Sequence, residues 1–120
     1  MEGTQALLSS NWQPYECGRT IGCLGVERGV ILLDEEHPAG ARITLERDGQ
    51  AAPFAITCGL EGWFVHTVFF PSEAEAQDAF KLMKRELERI AAFVPSASNF
   101  TEQQTKAVKQ AIKGFVTRFD

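Results

Sequence analysis

Apolar and polar positions change period along this chain, from about two before residue 70 to three and four after residue 72. Residues 41–47 alternate most clearly, with Ile43 and Leu45 set against Arg42, Thr44 and Glu46. Residues 30–36 are rich in branched side chains and predict the strand before it. Residues 20–26 predict a weaker strand, in which Ile21, Cys23 and Leu24 are interrupted by Gly22 and Gly25. Glu27-Arg28-Gly29 reads as a turn, and His37-Pro38-Ala39-Gly40 as a loop.

Two dipeptides set the expected pairing of the remaining strands. Asp48-Gly49 is a type I′ hairpin signal, and a two-residue loop there places Arg47 opposite Gln50, Leu45 opposite Ala52 and Ile43 opposite Phe54. Ile43 and Leu45 then share a face with Phe54, Ile56, Cys58 and Leu60. A two-residue loop at Glu61-Gly62 pairs Leu60 with Trp63, Cys58 with Val65 and Ile56 with Thr67. Trp63, Val65 and Phe69 then face the core, while Phe64, His66, Val68 and Phe70 point away. A three-residue loop instead pairs Cys58 with Phe64 and Ile56 with His66, which moves His66 to the core side. The two-residue loop is preferred because it leaves the more continuous core.

Helical spacing follows Pro71. Ser72 to Glu75 forms a capping box, and Ala76, Phe80, Met83, Leu87, Ile90, Ala91 and Val94 make one apolar stripe ending before Pro95. After a linker at 96–100, Thr101 to Gln104 caps a second helix with the stripe Val108, Ala111, Ile112, Phe115 and Phe119. The predicted class is α+β: one domain over residues 1–120, with an irregular lead-in at 1–18. An antiparallel meander of four to five strands follows at 20–70, then helices at 72–94 and 101–119 that pack on the sheet.

Bulk composition excludes more than it identifies. A chain of 120 residues with 44% hydrophobic content has material for one core, and no repeat or low-complexity tract interrupts it. Its net charge of −4 is uneven, since residues 1–72 hold nine acids and four bases while 101–120 hold two acids and four bases. An acidic sheet half argues against a nucleic-acid partner, which needs clustered Lys and Arg. No apolar run is long enough for a membrane span, no export signal is visible, and three cysteines make an odd set. A reducing cytoplasm is therefore the expected location.

Candidate chemistry is sparse. His66 sits mid-strand among aromatics, and Cys58 becomes a nucleophile only with a base in reach. Asp34, Glu36 and His37 offer metal-ligand types, although alternation along a strand prevents neighbouring residues from converging. Cys17 and Cys23 lack zinc-ligand spacing, and the glycines at 18, 22, 25 and 29 form no phosphate loop. Lys106, Lys109 and Lys113 line one helical face, as solvated faces commonly do.

No cofactor is expected. The most informative feature is the strand at 63–70, apolar on both faces, because a half-solvated strand needs only one. Its second face requires a cover from the C-terminal helix, a second subunit or a small ligand. The expected function is a non-enzymatic interaction or ligand-binding module, a homodimer joined through Phe64, His66, Val68, Phe70 and the last helix. The alternative is a small enzyme or metal protein with a site at His66, Cys58 and residues 34–37.

Overall fold

A computed structural model describes residues 11–94 and 100–120. It is an α+β fold in which five antiparallel strands precede two helices. Strand β1 is the short Gln13–Pro14, followed by a 3₁₀ turn at Tyr15–Gly18. Strands β2 (Val30–His37), β3 (Ala41–Arg47), β4 (Phe54–Leu60) and β5 (Phe64–Phe70) complete a meander in simple sequential order. Residues 1–10 of the lead-in, Pro95 and most of the following linker lie outside the described residues, while the first helix closes at Ala91, three residues before the expected 94.

Both helices begin where local chemistry places them. Helix α1 (Glu73–Ala91) starts at Ser72, whose Oγ accepts from the Glu75 amide at 3.3 Å. Helix α2 (Glu102–Arg118) opens with a reciprocal box, Thr101 Oγ1 accepting from the Gln104 amide while Gln104 Oε1 accepts from the Thr101 amide. The α1 stripe is buried as expected: Ala76, Phe80, Met83, Leu87, Ile90 and Ala91 lie under the sheet with Ile43, Leu45, Ile56 and Leu60. Each large side chain among them contributes about 1.5–3 kcal/mol of burial. On α2, Val108 and Phe115 are buried, whereas Ala111, Ile112 and Phe119 are half-buried against the core.

The hairpins depart from expectation. Between β3 and β4, Arg47 pairs with Phe54, Leu45 with Ile56 and Ile43 with Cys58, so the connection is a loop over 48–53. Pro53 has no amide to give a ladder, and β4 begins immediately after it. Only Asp48 of the turn pair takes a positive φ, 56°, so no type I′ turn forms. Tertiary contact holds the longer loop: the Gln50 amide donates to the Glu27 carbonyl at 3.1 Å, and a Cβ on Gly49 would lie 2.8 Å from that oxygen. The shift is an even number of residues, so the expected core face survives.

At the next hairpin the shift changes faces. Residues 61–63 form a three-residue loop, with Gly62 at φ 82° and the Trp63 amide donating to the Leu60 carbonyl at 2.8 Å. Leu60 pairs with Phe64, Cys58 with His66 and Ile56 with Val68. Phe64, His66, Val68 and Phe70 therefore point to the helix side, and Val65 and Phe69 point outward, reversing the preferred assignment. The alternative loop had the right length and face, with its partners two residues off.

One more correction concerns the outer face. Residues 20–26 form turns with a single bridge, Leu24 to Val30, so β1 supplies the fifth strand instead. Gly22 at φ 89° breaks any extended run there. The segment 15–29 folds over the outer face of β2 and β3. Both helices lie on the other face: α1 packs on β3, β4 and β5, and Phe115 of α2 meets Phe64 and His66. The helix layer is thus single.

Candidate functional site

On the outer face the strands bring polar residues into three rows. Glu36, Arg42, Gly59 and Val65 make one row; Asp34, Thr44, Thr57 and Thr67 the next; Ile31, Glu46, Ala55 and Phe69 the third. Asp34, 2% exposed, accepts from Arg42 Nε and Nη2 at 2.9 and 2.7 Å, from Thr44 Oγ1 at 3.0 Å and from Thr20 Oγ1 at 2.8 Å. The same hydrogen bond to Asp34, opposed by partial burial, holds the Arg42 guanidinium above its usual range. Tyr15 stacks on that guanidinium, with Arg42 Cζ 3.5 Å from the ring centroid.

Glu46, 1% exposed, accepts from the backbone amides of Glu27 and Gly29 at 3.0–3.3 Å. Its carboxylate lies so close beneath Gly25 that a Cβ there would sit 2.2 Å from Glu46 Cδ. The two buried acids therefore fasten segment 15–29 to the sheet.

The metal candidates do not converge. Asp34 and Glu36 face outward, whereas His37 faces the helix layer. The Ala39 amide donates to His37 Nδ1 at 3.1 Å, which places the proton on Nε2, 3.3 Å from Glu88 Oε2. Both ring nitrogens are engaged, with Trp12 edge-on at 5.3 Å. Among the described residues no group of three or more His, Cys, Asp or Glu could hold a metal ion.

The structure does bring His66 and Cys58 together, directly opposite across β4 and β5. His66 Nε2 donates to the Phe119 carbonyl at 2.9 Å, joining β5 to the end of α2. Cys58 is 2% exposed, and burial pushes its thiol up to about 12. A thiol held protonated is a poor nucleophile at neutral pH. The two residues share one face of the hairpin, but the thiol sits in a core environment that holds it protonated.

Two open features remain around β5, and the outward placement of Val65, which borders both, depends on the true register that sequence reasoning missed. The first is the edge: among the described residues β5 pairs only with β4 and ends the sheet. The second is a groove of about 1070 Å³ on the outer face, floored by Thr57 and Gly59. Leu24 and Val26, 68% and 74% exposed, border it on one side, and Val65, 78% exposed, on the other. Lys106, Lys109 and Lys113 take no part in either feature. No family model matches the chain, and no curated protein or solved structure shows significant similarity to it.

Proposed function

We propose that this chain is a non-enzymatic interaction module that self-associates through the free edge of β5. The observation that carries this is the edge itself. Residues 64–70 contain no Lys, Arg, Asp, Glu or Pro, and the strand ends the sheet without a bulge. Charge, proline and bulges are the usual devices that keep an edge from pairing. Among the described residues, no backbone hydrogen bond reaches β5 from beyond β4.

The strand is also self-complementary. Antiparallel pairing about Thr67 sets Val65 against Phe69 of the second copy, His66 against Val68 and Phe64 against Phe70. Apolar side chains then meet on both faces, as stabilising cross-strand pairs do. A twofold axis through Thr67 satisfies the requirement that both copies present the same surface. Helix α2 flanks this edge through the His66–Phe119 bond and forms the remainder of the contact. The free thiols of Cys17 and Cys23 at the surface suit a reducing cytoplasm.

Native mass spectrometry and light scattering test this reading. The expected species is a dimer of two 13.3 kDa chains, converted to monomer by Val65→Lys with unchanged circular dichroism. A monomeric wild-type protein, or a dimeric Val65→Lys variant, overturns it. Oxidation of a Thr67→Cys variant, with Cys17 and Cys23 replaced by Ser, checks the register. Residues paired across the axis lie about 4.5–5.5 Å apart, within disulfide reach. Val65→Cys in the same background puts the thiol-bearing residues about 13 Å apart and should not cross-link.

A further inference from the structure

From the outer-face groove we infer a second binding site, distinct from the β5 edge although Val65 borders both, that takes a basic amphipathic helix from a partner protein. Its shape follows from what covers each strand. Gly25 rests on Glu46 of β3, so Leu24 and Val26 stand as a wall above that strand. Val65 stands on β5, and the intervening β4 offers only the small outward residues Thr57 and Gly59. β3 and β5 are two strand spacings apart, about 9.5–10 Å. A helix is about 10–12 Å across with its side chains, whereas a single added strand fills about half that width.

The groove measures about 1070 Å³, enough for about two turns of helix. Small floor residues allow close approach, and the apolar walls match the stripe of an amphipathic helix.

Charge selects the sign of the occupant. The buried acids Asp34 and Glu46 are already satisfied. Glu36 and Glu61 line the groove, are exposed and form no ion pair among the described residues. Arg42, the one Arg or Lys in the described lining, is ion-paired with Asp34. The groove thus presents unpaired negative charge at the end near the β4–β5 loop, which favours Lys or Arg on the incoming helix.

The test is fluorescence anisotropy with a labelled, 14-residue leucine–lysine peptide of helical period. Leu24→Ser with Val26→Ser, which removes no charge, should weaken binding about tenfold. Glu36→Gln with Glu61→Gln should weaken it several-fold and flatten its salt dependence. Glu73→Gln with Glu102→Gln removes the same charge from the helix layer and should leave binding unchanged. Three results overturn the site: no binding, equal weakening by the helix-layer pair, or undiminished binding by the Leu24/Val26 variant. Equal affinity for a peptide of the same composition with strictly alternating leucine and lysine overturns the helical occupant. Repeating the titration on Phe69→Lys, an outward edge residue of β5 that does not line the groove, should leave peptide binding unchanged and so separates this site from self-association.

Discussion

Glu46 shows how one residue can fix a segment that has little core of its own. A carboxylate without solvent must be held by donors, and here the donors are the amides of Glu27 and Gly29. Glu46→Ala leaves those amides without their acceptor and should cost about 2–4 kcal/mol in chemical denaturation. Gly25→Ala should cost about 1–3 kcal/mol by pushing the same carboxylate aside. Loss of the 15–29 cover in either variant should appear as faster amide exchange there, with α1 still protected. Cys58 makes a separate prediction. Below pH 9 its thiol is protonated in both the folded and unfolded chain, so burial is unopposed. Above pH 9 the unfolded chain loses the proton while the folded chain keeps it to about 12. Stability should therefore fall between these values, with a slope of up to about 1.4 kcal/mol per pH unit from this group. Cys58→Ala should flatten that decline, and a thiol-alkylating reagent at pH 8 should label Cys17 and Cys23 but not Cys58.

At the scale of elements, legibility followed the range of the forces involved. Helices α1 and α2 were readable because their caps and stripes are local: Ser72 bonds three residues on, and Phe80, Met83 and Leu87 repeat on one face. Hairpins were less readable because competing loops differ through distant contacts. Asp48-Gly49 has strong turn chemistry, yet Glu27 and Pro53 select a longer loop. A single added residue at 61–63 turned Phe64 and His66 inward, so the candidate face was the wrong one. The groove was invisible for the same reason, since its wall is segment 15–29 and not a strand. Helix α2 offers the corresponding test. Phe115 is its main anchor, touching Phe64, His66 and Phe119. Phe115→Ala should cost about 3–5 kcal/mol, whereas Thr101→Ala should cost about 1 kcal/mol, because a cap sustains only one exposed helix end.

Over the whole molecule, cover is distributed unequally. The helix side of the sheet is closed by α1 and α2, and the β2–β3 half of the outer side by residues 15–29. Among the described residues, what stays open is the β4–β5 half and the β5 edge, where Val65 and Phe69 remain 78% and 46% exposed. This asymmetry converts into a thermodynamic expectation that does not depend on knowing any ligand. If folded chains pair edge to edge and unfolded chains do not, association stabilises the folded state by mass action, and the melting temperature must rise with protein concentration. A monomer that folds and unfolds alone has a melting temperature independent of concentration. The dimer buries one strand edge and its flanking helix, so a modest dissociation constant and a rise of a few degrees over a hundredfold dilution series are expected. Val65→Lys should flatten that dependence while keeping the dilute-limit melting temperature of the wild type, since its side chain stands largely in solvent. A flat wild-type series would remove the β5 edge from the function of this fold and leave the groove as its working surface.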